Sequence, residues 1–200
     1  MRLGFFLEDL AHEKFVVTLT LRVLELTAGD AALDVRNARG GDAIGSYYRF
    51  LQDCKRGRQS PYDLLVVCSD GNCTGPAKRR RDLDEKRARL QYDGEVIYAI
   101  PDPHIERWYL LDTVALARAA GVPIPDEVPA HKCGKLIYKE LLMNAFRRGG
   151  ITPLLGGGSE YGDAVATEMD LELIRRKPNR DDSLCQFIDD LLRFGRAHPR

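Results

Sequence analysis

The chain has 200 residues, of which 44% are hydrophobic and 30% are charged, so its composition is that of a globular protein and not of a disordered one. Thirty basic residues balance thirty acidic ones, which excludes a uniformly basic nucleic-acid coat but leaves room for local patches. No run reaches the roughly 18 apolar residues that cross a bilayer. The apolar start of the chain is interrupted by Glu8 and Asp9, before it reaches the length of a signal peptide. We therefore expect a single-domain cytoplasmic protein without a membrane segment.

The five cysteines are odd in number and include no C-x-x-C pair. This pattern predicts reduced thiols and not a disulfide framework. Cys68 and Cys185 lie in apolar runs, as core cysteines do. An alternative is a zinc site built from Cys68, Cys73, His131 and Cys133, although their spacing matches no familiar ligand pattern.

Strands and helices alternate in the first part of the chain. Strands are predicted at residues 2–7, 32–35, 64–68 and 95–100, and helices at 15–26, after the capping Asp42, at 78–90 and from Ile105 onward. Residues 64–68 are unbroken in their apolar character, which is typical of a central parallel strand covered on both faces. Residues 15–26 alternate as a strand would, but their length favours a helix. The order predicts a parallel sheet with right-handed crossovers.

After Gly121 the pattern changes to a proline-rich loop followed by helices. We predict helices at residues 135–148, 164–175 and 184–194, the last of them capped by Ser183. The chain is thus expected to divide into an α/β core, residues 1–120, and a helical extension, residues 121–200, that packs on the core.

Acidic residues follow three of the four predicted strands. Glu8 and Asp9 follow the first, Asp70 follows the third, and Asp102 with Glu106 follows the fourth. In an open parallel sheet, ligands collect beyond the carboxyl ends of the strands. Crowded carboxylates repel one another unless a hard divalent cation is bound between them. The alternative is that they are solvated loop residues.

Three motifs resemble those of Toprim-type domains. They are Glu8 directly after the first strand, Ser69-Asp70-Gly71-Asn72 after the third, and the segment IPDPHIERWYLLD at residues 100–112. The likeness is to the small stand-alone Toprim-like proteins of bacterial defence loci and to the nuclease domains of OLD-type proteins. It covers about residues 1–115.

The resemblance implies a mostly parallel, Rossmann-like sheet flanked by helices, with a C-terminal helical extension. It also implies a site that binds Mg²⁺ or Mn²⁺ through Glu8, Asp70, Asn72 and Glu106, with Glu8, Asp70 and Glu106 as the catalytic residues. We further expect Asp102 to assist at this site. Asn72 stands where the family has a second aspartate, and the segment after Glu8 is not glycine-rich. A degenerate site that binds nucleic acid or a partner without cutting therefore stays open.

A basic stretch begins soon after Asp70. Because it lies beside the predicted metal site, it could grip a backbone phosphate through Lys78, Arg79, Arg80 and Arg81. The alternative is a solvated helix face with i,i+4 ion pairs.

Four other residues have weaker claims. His104 could carry a proton or lie next to a metal, although a histidine at a helix start is commonly just half-exposed. Lys135 and Lys139, one helical turn apart, could hold a phosphate or be solvated, and Trp108 is expected to anchor the core.

The main hypothesis is a metal-dependent nuclease or phosphoryl-transfer protein that acts on nucleic acid, in the setting of anti-phage defence. The second is a non-catalytic Toprim-like module that binds nucleic acid, a partner subunit or another copy of itself. A third, a nucleotide- or phosphate-binding domain of another doubly wound type, lacks the glycine-rich loop after the first strand.

Overall fold

The structure is a computed structural model that describes residues 1–27, 29–38, 42–57, 62–123, 131, 133–134, 136–154, 157–176 and 182–199, with only the backbone at 182. The strands are β1 Arg2–Leu7, β2 Ala32–Asn37, β3 Leu64–Cys68 and β4 Val96–Ala99. The helices are α1 Leu10–Val23, α2 Ala43–Lys55, α3 Pro76–Leu90, α4 Ile105–Leu110, α5 Thr113–Ala120, α6 Ile137–Arg148, α7 Gly162–Glu168, α8 Leu171–Arg176 and α9 Asp182–Ala197, with a 3₁₀ turn at Ser159–Tyr161.

The predicted α/β class is confirmed, because the four strands form one parallel sheet in the order β2-β1-β3-β4. The chain runs from β1 outward to β2 and then returns to β3 on the other side of β1. The boundary between β1 and β3 is therefore the point where the strand order reverses, which is where open α/β sheets bind ligands. At that boundary Leu7 pairs with Cys68, and Cys68 pairs in turn with Ala99 of β4.

Both faces of the sheet are covered. Alternate residues of β3 point to opposite sides, so that Val66 joins one hydrophobic cluster and Val67 the other. Helices α2 and α3 cover the Val67 side, and the remaining helices lie on the Val66 side. Burial on two faces explains why β3 has no polar residue.

The helical extension packs on the core in one continuous hydrophobic cluster with β1 and α1. Trp108 is fully buried, as predicted, and stacks on Phe187 of α9. Its indole Nε1 donates to the Ser183 hydroxyl at 3.2 Å. Ser183 thus lies inside α9 and contacts Trp108, and the prediction that it caps this helix is wrong.

Several helix boundaries differ from the prediction. Helix α1 begins five residues earlier than expected because the Asp9 carboxylate accepts from the backbone N–H groups of Ala11 and His12. The single helix predicted at residues 164–175 is two helices, since Met169 is extended, with ψ 129°. Helix α6 begins at Ile137, and the predicted Lys135 lies outside the described residues. Among the described residues, no helix combines the length and the apolar character needed to span a membrane.

Asp112 connects the core to the extension. It is 4% exposed, and its Oδ1 accepts from Ala115 N at the start of α5 while its Oδ2 accepts from Asp170 N between α7 and α8. The helix predicted from Ile105 onward therefore ends at Leu110, and Asp112 caps a second helix.

We predict that Asp112→Ala lowers the free energy of unfolding by about 2–3 kcal/mol, because it leaves two backbone N–H groups of the interior without an acceptor. Asp42→Ala is the matched control, since Asp42 caps α2 through the single backbone N–H of Gly45 at an exposed position. The control should cost about 1 kcal/mol. Urea denaturation measures both, and equal losses would contradict the bridging role of Asp112.

Candidate metal centre

The pairing of β1 with β3 places Glu8, at the end of β1, against the loop after β3 that contains Asp70. Glu8 directly follows β1, and its Oε2 accepts from Ser69 Oγ and from Asp70 N, both at 2.9 Å. Two donors from one loop fix the Glu8 carboxylate at the end of β3. The predicted proximity of Glu8 and Asp70 is therefore present in the structure.

A histidine of α1 lies between two carboxylates. His12 is 1% exposed, and its Nδ1 lies 2.7 Å from Asp9 Oδ1 while its Nε2 lies 2.9 Å from Asp70 Oδ1. Asp9 is also the N-cap of α1, so one carboxylate caps the helix and orients the ring of His12, the third residue of the helix. Sequence reasoning missed His12. The signal that could have found it is the run Glu8-Asp9-x-x-His12 directly after a buried strand.

A second histidine contacts the other oxygen of Asp70. His104 precedes α4, and its Nδ1 lies 2.9 Å from Asp70 Oδ2. Asp70 is therefore held between His12 and His104. The hypothesis that His104 lies next to the site agrees with this geometry.

The charges in this cluster shift one another's protonation. Burial opposes the charged form of His12, but the negative charges of Asp70 and Asp9 outweigh it and raise the pKa of His12 well above 6.5. Burial likewise disfavours ionised Asp70, but the two histidines lower its pKa below 3.8. Burial also disfavours ionised Asp9, but its hydrogen bond and ion pair with His12 outweigh this and lower the pKa of Asp9 to about 2.

Glu106 has the opposite shift. Burial, reinforced by the negative charge of Asp70, raises the pKa of Glu106 above 4.5, so this carboxyl holds a proton more readily than the carboxyls of Asp9 and Asp70. The backbone of Gly157 covers it closely. A Cβ placed at Gly157 would lie 3.3 Å from Glu106 Oε1 and 3.4 Å from Lys139 Cε, and the residue has a φ of +78°. The backbone conformation therefore favours glycine here, and a Cβ would fit only if the Glu106 side chain shifted by a few tenths of an ångström.

Glu8, His12 and Asp70 each offer a ligand atom within 4.8 Å of the other two, and no other histidine, cysteine or acidic residue of the described chain joins a group of three this tight. Two carboxylates and one imidazole form a mixed oxygen and nitrogen set, which suits Mn²⁺, Fe²⁺ or Zn²⁺ better than Mg²⁺. Behind the ring, Asp9 holds Nδ1 as carboxylates do behind metal-ligating histidines.

The other residues predicted for the site, the ligands Asn72 and Glu106 and the assisting Asp102, are not members of this group. Asn72 is exposed in a left-handed conformation, and its Nδ2 donates to the Asp70 carbonyl at 3.4 Å. Asp102 is buried and binds Cys73 N and His131. Glu106 interacts electrostatically with Asp70 but does not belong to the group of three.

The cysteine-based zinc site proposed from sequence does not form. Cys68 is buried inside β3, as predicted for a core cysteine, and Cys185 is buried as well. No group of three ligands within 4.8 Å includes a cysteine in the part of the chain that the structure describes.

The basic residues of α3 differ in their surroundings. Lys78 pairs with Asp82 at 3.5 Å, while Arg80 pairs with Asp190 of α9 at 3.3 Å and lies over the Tyr98 ring. Arg79 is half-buried, with no hydrogen-bond partner for its Nε, and Arg81 is exposed. Arg80 thus helps to join α3 to α9, and Lys78 and Arg81 are the exposed members of the four.

The contacts of His12 predict how the stability of the chelator-treated protein depends on pH. Because the pKa of His12 is raised, its stabilising effect is complete below 6.5 and is lost as the pH rises through the folded-state value. The lowered pKa of Asp9 adds stability above 3.8 that is lost as the pH falls towards 2. The difference in unfolding free energy between wild type and His12→Gln should therefore be largest between these limits and shrink on either side.

Urea denaturation across this pH range measures the difference. Asp9→Asn removes one of the two carboxylates on the ring, so it should leave a weaker decline above 6.5 than the wild type has. A difference between wild type and His12→Gln that stays constant with pH would contradict the described ion pairs.

No protein-family model, curated protein or solved structure matches this chain. The likeness to Toprim-type domains therefore stays a prediction from motifs.

Proposed function

We propose that the chain is a divalent-cation-dependent phosphodiester hydrolase that acts on nucleic acid, with Glu8, His12 and Asp70 binding the cation. The observation that carries this proposal is the meeting of these three side chains where the strand order reverses. The mixed ligand set favours Mn²⁺, with Mg²⁺ as the weaker alternative. The setting of anti-phage defence is part of the same proposal and comes from the motif resemblance alone.

The protein side chains divide the work between holding charge and moving protons. Glu8 and Asp70 would supply the negative charge that retains a cation, and Asp9 would keep Nε2 of His12 directed at it. A divalent cation at this position would neutralise a phosphodiester and lower the pKa of water. To bind it, His12 must give up the Nε2 proton that it shares with Asp70.

Among the carboxyl groups of the site, Glu106 is the one best suited to hold a proton for the leaving oxygen. Its raised pKa favours the carboxylic acid, and it lies in the first turn of α4, within the electrostatic influence of Asp70 and His104. Two neighbouring carboxyl groups with pKa values shifted in opposite directions are a common arrangement of acid and base.

The start of α3 would bind the nucleic-acid backbone. This helix begins six residues after Asp70, and its first two turns contain Lys78, Arg79 and Arg81. Arg80 contributes less to the proposal because it is already engaged with Asp190, which also pairs with Arg193. Phosphate contacts of this kind position a nucleic acid without reading its sequence.

A second candidate is the module that binds nucleic acid without cutting it. The observation that favours it is the state of Asp70, whose two oxygens already contact His12 and His104. With the neutral Asn72 beside it, such a site can be stable without any cation.

Cleavage of a panel of single- and double-stranded DNA and RNA tests the proposal. We expect cleavage with Mn²⁺ and none with chelator, and a loss of at least about 100-fold in Glu8→Gln and in Asp70→Asn, since each removes a charge that retains the cation. Glu13→Gln is the matched control, because it removes a half-buried carboxylate charge of α1 outside the three ligands while the amide oxygen can still accept from Asn37, and it should keep full activity.

The outcomes separate the two candidates. Binding of the same nucleic acids that is equally tight with Mn²⁺ and with chelator, without cleavage under either condition, would replace the enzyme with the binding module. Cleavage that survives both Glu8→Gln and Asp70→Asn would place the chemistry elsewhere.

A further inference from the structure

A second cluster lies at the same edge of the sheet, around the carboxylate of Asp102. Asp102 is 6% exposed, and its Oδ1 accepts from Cys73 N at 3.0 Å. Its Oδ2 lies 2.8 Å from His131 Nε2, and because a carboxylate only accepts, the ring donates this hydrogen bond. One buried carboxylate therefore joins two parts of the chain that are far apart in sequence.

This double contact brings two thiols together. Cys133, two residues after His131, forms a side-chain hydrogen bond with Cys73, and both cysteines are exposed. Cys73 has a φ of +62°, and the preceding Asn72 has a φ of +48°. Two consecutive residues other than glycine therefore adopt the left-handed backbone conformation. Its bonded N–H fixes this turn, which sets where the thiol of Cys73 stands relative to Cys133.

The other three cysteines differ from this pair. Cys68 and Cys185 are buried, and Cys54 is half-buried on α2. A thiol that is buried in apolar surroundings reacts slowly with soluble oxidants. Cys73 and Cys133 thus combine access with a partner in contact. Desolvation and the contact with Cys133 raise the pKa of Cys73 to about 11, so the exchange is slow at neutral pH and faster at alkaline pH.

We propose that Cys73 and Cys133 are a redox-modification site, which forms a reversible disulfide by exchange with a low-molecular-weight disulfide such as glutathione disulfide. One cysteine attacks the glutathione disulfide, forms a mixed disulfide and releases one glutathione thiol. The other cysteine then attacks the mixed disulfide and releases the second. The two protein thiols lose two electrons and two protons in total, and one glutathione disulfide is reduced to two glutathione molecules.

The disulfide would tie the loop that follows Asp70 to the chain at His131, alongside the contacts through Asp102. This inference does not depend on the proposed hydrolase activity. The alternative is a soft metal bound by the two thiols and the His131 ring, but the ligand atoms of these three residues do not lie within 4.8 Å of one another.

The test is incubation of the reduced, full-length protein with glutathione disulfide, followed by acid quenching, alkylation after denaturation and mass spectrometry. We expect a product lighter by two hydrogens, with three of its five cysteines alkylated and with a peptide that joins Cys73 to Cys133. Excess glutathione should return the protein to five alkylated cysteines.

Three variants sharpen the test. Cys73→Ser should stop at the mixed disulfide on Cys133, whereas Cys54→Ser should cross-link as the wild type does. His131→Ala removes a hydrogen bond to a charged acceptor, which is enough to lower the equilibrium constant for disulfide formation about tenfold. The proposal is overturned if the wild type carries glutathione on both cysteines without a cross-link, if another pair forms, or if the purified protein holds zinc that blocks the exchange.

Discussion

The parallel pairing of β1 with β3, in the register that sets Leu7 beside Cys68, is the constraint on which the site depends. Residues that follow paired positions on neighbouring parallel strands emerge side by side. Glu8 and Asp70 are therefore neighbours in space although they are 62 residues apart in sequence. The apolar side chains of both strands, buried between two layers of helices, set this register, because a slip by one residue would turn them to the wrong face.

Placing several carboxylates at one edge has an electrostatic cost, and the fold offsets it with histidines and backbone donors. Asp70 is held between His12 and His104. Glu8 accepts hydrogen bonds from two groups of the loop that follows β3. Among the described contacts, none of these carboxylates has an arginine partner of its own. A neutral imidazole is a metal ligand, while an imidazolium is an ion-pair partner, so the same residues suit a cation-loaded and a cation-free state.

The sequence predicted the sheet well because buried strands leave a strong local signal, as in β3, and because the acidic residues follow the strands directly. What it did not predict depends on contacts between distant residues. His12 gains its role from Asp70, 58 residues away, and Arg80 is neutralised by Asp190, 110 residues away. Likewise, Asp112 looked like one more helical residue, because its second partner, Asp170, belongs to the extension. Local periodicity contains no information about such partners.

The central claim is that Glu8, His12 and Asp70 share one cation. Anomalous X-ray scattering from crystals grown with Mn²⁺ tests it most directly, because the signal locates manganese independently of any assumption about its ligands. We expect one strong peak in contact with the carboxylates of Glu8 and Asp70 and with Nε2 of His12, and no such peak in Asp70→Asn crystals grown under the same conditions. A wild-type map in which His12 still contacts Asp70 and manganese is absent from this position would contradict it.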